Sequence, residues 1–150
     1  MSGPNQAGNV GENMDSKWQW APALYVAGLL LMNILSIPFG VSEMPEECPE
    51  DSMNCDKRTI ALDVGEEEFH AVMEEWAHDR SFTTTFSEGH IVDRTLFMQF
   101  PDDILYSNEC GEIELFSKSR LGRSDLGVNS DRLDEIETYL LEYDFETTCQ

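Results

Sequence analysis

The run SRLGRSDLGVNSDR, residues 119–132, decides the fold, because one periodicity ends at its start and another begins at its end. Ile113 to Ser119 reads as a strand, whereas Leu133, Ile136, Leu140 and Tyr143 recur at helical spacing. Between them, Gly122 and Gly127 permit backbone turns that larger residues resist. Asn129 or Ser130 can cap the helix, with Asp131 and Asp134 in its favourable first turn. The run is a joint between a last strand and a last helix.

Upstream of the joint, Ile104 to Tyr106 pairs with Ile113 to Ser119 as a hairpin around Asn108 and Gly111. His90 to Phe100 alternates through Val92, Leu96, Met98 and Phe100, is broken by Arg94, and ends at a Pro101-Asp102-Asp103 turn. Ser81 to Phe86 alternates phenylalanine and threonine as a half-buried strand, and Ile60 with Leu62 marks a shorter one. A helix lies between these two. Asp63 and Glu66 form a capping-box pattern, and Phe69, Val72, Met73 and Trp76 make one apolar face. Neither helix joins parallel strands, so the class is α+β: an antiparallel sheet of about four strands, one face covered by two helices.

From Trp18 to Ser42 no residue is charged. An apolar run of this length crosses a hydrocarbon core of about 30 Å as a helix. Trp18, Trp20 and Tyr25 suit an aromatic belt, and the membrane is the partner expected for residues 18–41, up to Val41. The expected organisation is a disordered cytoplasmic tail (1–17), a retained signal anchor (18–42), a linker (43–58) and a domain (59–146). Lys17 precedes the anchor and no Lys or Arg follows before Lys57, which places the N-terminus in the cytoplasm and the domain outside.

Cys48, Cys55, Cys110 and Cys149 all lie on the outer side of that segment, an arrangement that suits disulfides. Three pairings are open, with Cys48–Cys55 favoured across the turn at Pro49. The formal net charge of -21, from 9 Lys+Arg against 30 Asp+Glu, repels phosphate backbones and disfavours nucleic-acid binding. It also suits a protein bathed in high salt.

Three segments together resemble the family of domain of unknown function 1499 (DUF1499). They are Cys48-Pro49 to Asn54-Cys55, Arg94-Thr95-Leu96-Phe97 to Phe100-Pro101-Asp102-Asp103, and residues 117–132. The resemblance implies a small domain behind a signal, lipoprotein or membrane-anchor leader, and no established activity.

Catalysis finds no support in the residues: no nucleophile elbow surrounds Ser124, and His70 and His78 stand two helical turns apart. No metal site or cofactor is expected. The candidate ligand-binding residues are Arg94, Arg120, Arg123, Ser124, Asp125, Asn129 and Arg132, four arginines in an arginine-poor chain gathered near a helix start. The competing and preferred reading is that Asp102, Asp103, Asp125 and Asp131 pair with the arginines. The function expected is a membrane-anchored extracytoplasmic domain that binds a partner protein or a small anionic ligand without catalysis. The alternative is a small envelope-associated hydrolase or transferase with an arginine-lined pocket.

Overall fold

Alternation from Glu112 to Ser119 becomes a strand in the computed structural model, which describes residues 18–95 and 97–149. The expected disordered tail, Lys17 and Leu96 lie outside the described residues. In chain order the elements are α1 (Ala21–Ser36) with a short 3-10 turn (Ile37–Phe39), β1 (Cys55–Ile60), α2 (Glu66–Arg80), β2 (Thr85–Ser87), β3 (His90–Arg94), β4 (Pro101–Glu109), β5 (Glu112–Ser119) and α3 (Val128–Glu142). The strands form one antiparallel sheet in the order β1-β5-β4-β3-β2. The class is α+β, as the periodicities indicate.

Five strands stand where about four are expected. The short strand expected at Ile60 and Leu62 lies earlier in the chain and joins this sheet as β1, which starts at Cys55 and runs antiparallel to β5 from Cys55 opposite Lys118 to Ile60 opposite Ile113. Asp56, Lys57 and Arg58 hide this strand from a hydrophobicity pattern, because their charges are met by partners rather than by water. Arg58 reaches from β1 to α3, donating to Ser130 Oγ at 3.0 Å and to the Asp134 carboxylate. Lys57 Nζ pairs with Glu114 at 2.7 Å. Pro101 to Asp103 is a second correction: it opens β4 instead of ending a strand.

α2 and α3 cover one face. Phe69, Val72, Met73 and Trp76 from α2 meet Leu133, Ile136 and Leu140 from α3 over Ile91, Ile104, Ile113 and Leu115 of the sheet. Truncating one such fully buried leucine or isoleucine to alanine costs about 2–5 kcal/mol. On the opposite face Val92, Leu105 and Phe116 are also buried. There the cover is the extended segment 40–48, held by Lys57 Nζ donating to the Pro45 and Glu46 carbonyls at 3.0 and 3.2 Å.

The expected capping box is not formed. α2 starts after Gly65 without a side-chain cap, and Asp63 instead accepts the Cys149 N–H at 3.1 Å. Glu68 accepts from the Glu146 and Thr147 amides at 2.8 Å each, tying down the C-terminal tail. Asn129 and Ser130 lie inside α3, whose N-cap is Gly127 at φ 90°.

Two disulfides join Cys48 to Cys55 and Cys110 to Cys149. The first is the local pairing favoured from sequence. Chain entropy assigns roughly 2.5 kcal/mol to the shorter loop and roughly 4 kcal/mol to the longer. Replacing Cys110 and Cys149 with serine is therefore expected to lower unfolding free energy more than replacing Cys48 and Cys55. Urea denaturation of the two double variants checks the order, and an equal or reversed loss contradicts it.

Candidate functional site

β4 begins with two acidic residues, and successive strand side chains point to opposite faces. Asp102 therefore faces the helices and Asp103 the strap formed by 40–48. Both are buried. On the helix side Arg132, only 4% exposed, donates to Asp102 Oδ2 at 2.8 Å and to Asp93 Oδ2 at 3.2 Å. Arg80 and Thr84 also donate to Asp93, at 3.2 and 2.9 Å. Burial alone would raise the Asp93 pKa, but the Arg132 charge and these hydrogen bonds hold it below the ordinary carboxylate value.

Asn129 extends this buried network. Its Nδ2 donates to the Asn54 carbonyl at 2.8 Å, and its Oδ1 accepts from Ser117 Oγ at 2.6 Å and Arg132 Nη1 at 3.0 Å. Asn54 Nδ2 in turn donates to the Gly122 carbonyl at 2.8 Å. These bonds stitch the 119–132 joint to the residues just before β1.

On the strap side Asp103 accepts from Arg120 Nη2 at 2.6 Å and Nε at 2.9 Å, from the Val41 N–H at 3.0 Å, and lies 2.7 Å from His90 Nε2. Burial raises its pKa, yet His90, Arg120 and the Val41 amide outweigh that and bring it down to about 2. The clamp fixes the chain immediately after the 3-10 turn.

The seven candidate residues therefore do not gather in one place. Arg120 and Arg132 are committed to carboxylates on opposite faces of the sheet, and Asn129 is buried. Arg94 donates to Asn33 Oδ1 at 3.2 Å and to the Thr83 carbonyl, so it faces α1. Arg123 is exposed and has no ion pair among the described residues. Ser124 and Asp125 help line a cavity of about 340 Å³ whose other walls include Phe100, Leu121, Leu126 and Val128. This volume falls in the range of small-molecule sites. Asp125 also shapes the joint, accepting the Gly127 and Asn129 amides at 3.0 and 2.8 Å.

A larger hollow of about 460 Å³ lies at Trp76, Arg80, Glu135 and Tyr139, but its charged groups answer one another: Arg80 holds both Glu135 and Asp93. Among the described residues, no group of three or more His, Cys, Asp or Glu side chains is gathered closely enough to hold a metal ion. Sequence reasoning missed the apolar walls, since Phe100 and Leu121 are distant in the chain.

Cavity and clamps bring together the three segments that carry the family resemblance. Asn54 meets Gly122 and Asn129, Asp102 meets Arg132, Asp103 meets Arg120, and the Arg120 amide donates to the Pro101 carbonyl at 3.1 Å. The model of the family described as protein of unknown function (DUF1499) matches residues 46–140. The chain belongs to the DUF1499 family. Among curated proteins none matches this chain, and among solved structures none does. Outside the matched region, this DUF1499 protein carries residues 21–39, the one helix among those described that is long and apolar enough to cross a membrane.

The Asp103 clamp gives acid sensitivity a definite sign. A carboxylate near pKa 2 in the fold and about 3.9 when unfolded contributes roughly 2–3 kcal/mol at neutral pH, fully present above the unfolded value. That contribution is lost as pH falls from about 5 through the folded value. Asp103→Asn is expected to be less stable than the parent at pH 7, with the gap closing toward pH 2. Urea unfolding across that range measures it, and a gap independent of pH refutes the assignment.

Proposed function

We propose that this DUF1499 chain is a single-pass membrane protein whose domain lies outside the cytoplasm and binds a small amphipathic anion without catalysis. The apolar part occupies the cavity between Phe100, Leu121, Leu126 and Val128, and the anionic group meets Arg123. One observation carries this reading: an exposed arginine with no ion pair among the described residues stands between Gly122 and Ser124, two residues of an otherwise mainly apolar wall. A net charge of -21 repels small free anions at a distance, so apolar burial must bring the anion to Arg123.

Chemistry on both sides of the anchor supports the proposed orientation. Two disulfides suit an oxidising compartment, and Lys17 alone flanks the apolar run before Lys57. A reporter fused after Gln150 is expected to be active only outside the cytoplasm. A cytoplasmic signal overturns the orientation.

Ligand class is tested with dodecanoate and dodecan-1-ol, using the full chain held in amphipol. Dodecanoate is expected to raise the melting temperature and to bind about tenfold tighter than the alcohol, the increment of one charge-assisted hydrogen bond. Arg123→Ala should erase that preference, and Leu121→Trp should abolish binding of both by filling the cavity. No thermal shift with either amphiphile removes the proposal.

A further inference from the structure

The 16 residues of α1, APALYVAGLLLMNILS, include three with polar side chains: Tyr25, Asn33 and Ser36. Two of the three are spent on a single loop of the domain, 95–100. Tyr25 Oη donates to the Phe97 carbonyl, and Asn33 Nδ2 donates to the Gln99 carbonyl at 3.4 Å. Asn33 Oδ1 also accepts from Arg94 at the stem of that loop. In the second half of α1, Leu29, Met32, Asn33 and Ser36, spaced i, i+3, i+4 and i+7, lose exposure, whereas Leu30, Leu31, Ile34 and Leu35 stay exposed. One stripe of α1 packs on the domain, and its remaining circumference is apolar and open.

Four hydrogen bonds tie Thr95, Gln99 and Phe100 of the loop to one another. The Thr95 amide donates to the Phe100 carbonyl at 3.2 Å, and the Gln99 amide donates to the Thr95 carbonyl at 2.9 Å. Gln99 Nε2 adds a second bond to that carbonyl at 3.1 Å, and Thr95 Oγ1 accepts the Phe100 amide at 3.0 Å. Irregular backbone at membrane depth is tolerated only where its polar groups are satisfied within protein. Here the donors include Tyr25 and Asn33 of the candidate spanning helix. Yet the side chains at the tip face outward: Phe97 is 75% exposed and Met98 48%.

Depth follows from helix geometry. Tyr25 precedes Ser36 by 11 residues, 36 minus 25, or about 17 Å along the axis. A loop that touches both Tyr25 and Asn33 must share the hydrocarbon layer with a helix that spans it. The other exposed apolar residues at that end of the sheet agree: Phe82 (97% exposed) before β2, Leu126 (95%) after β5 and Met53 (70%) before β1. The loops 81–84, 95–101 and 120–128 contain one acidic residue, Asp125, while the segment before β1 that carries Met53 adds the exposed Glu50 and Asp51 at the β1 edge. The opposite end of the sheet carries Glu88, Glu109 and Glu112 at its turns.

We propose that residues 97–100 of the loop between β3 and β4 are inserted in the bilayer beside α1, with Phe97 and Met98 in contact with lipid, and that Phe82, Leu126 and Met53 seat the same rim of the domain on the membrane surface. The partner is the bilayer itself. This rests on the reading of α1 as a spanning anchor, and it adds a second, fold-derived membrane contact with one fixed orientation of the sheet.

Nitroxide labels on the full chain in phosphatidylcholine–phosphatidylglycerol liposomes test it, through relaxation enhancement by oxygen against a water-soluble nickel chelate. Labels are placed one at a time at Phe97→Cys, Met98→Cys, Leu126→Cys, Leu30→Cys and Glu88→Cys. Expected are acyl-chain depth at 30, 97 and 98, headgroup depth at 126, and water at 88. Two reporters on one loop guard against a label that disturbs its own site. Leu30 at acyl depth with both loop labels in water overturns the inserted loop and leaves the anchor standing. Leu30 in water or at headgroup depth overturns the spanning reading, and this inference with it.

Discussion

Adjacent carboxylates on opposite faces of one strand organise this molecule. Removing a charge from water costs several kcal/mol unless a partner and hydrogen bonds meet it, so Asp102 and Asp103 each require a cation. Arg132 answers Asp102 from α3 and Arg120 answers Asp103 from just beyond β5. One pair seats the last helix on the sheet. The other, with the Val41 amide, seats the exit of the candidate anchor on the reverse face. Arg120 and Arg132 are thereby committed to internal carboxylates and Arg94 to Asn33 and the Thr83 carbonyl, whereas Arg123 is exposed, with no ion pair among the described residues.

Much of the architecture is legible in the sequence because its signal is periodic. Phe69, Val72, Met73 and Trp76 fall on one helical face, as do Leu133, Ile136 and Leu140, and all seven enter the core. The apolar stretch before Ser42 announces a helix by composition alone. β1 is legible only at its end, Ile60, for the opposite reason: Lys57 and Arg58 are held by side chains on β5 and α3, neighbours that a linear pattern does not contain, and Asp56 pairs with Arg58. Asp102 and Asp103 mislead in the same way, since an acidic pair after proline has the composition of a turn until its arginines are known. The preference for arginine–carboxylate pairing over a cationic pocket is sound in kind. Two of its four carboxylates, Asp102 and Asp103, hold arginines, Asp93 takes part unannounced, and Asp125 shapes the joint instead.

The candidate site shows where local motifs stop being informative. Gly122 and Gly127, at φ 94° and 90°, do provide the turns expected of the 119–132 run. Ser124 and Asp125 do line a cavity. Its apolar character, however, comes from walls contributed by three separate stretches, and the arginines that suggested an anion cradle fold inward or toward α1. The segments that mark the chain as a DUF1499 member meet around this place, so the family pattern is read here as the geometry of one end of a sheet.

Between Phe39 and β1 there is little slack. Gly40 lies so close to Arg120 that an added Cβ would sit 3.2 Å from the guanidinium carbon, Val41 is held on Asp103, Pro45 and Glu46 are held by Lys57, and Cys48 is bonded to Cys55. A helix on a slack tether can tilt without its domain noticing. Here the attachment transmits torque. Apolar spanning helices tilt as a bilayer thins or thickens, and with α1 spanning as proposed above, such a tilt is passed to the sheet instead of being absorbed in a linker.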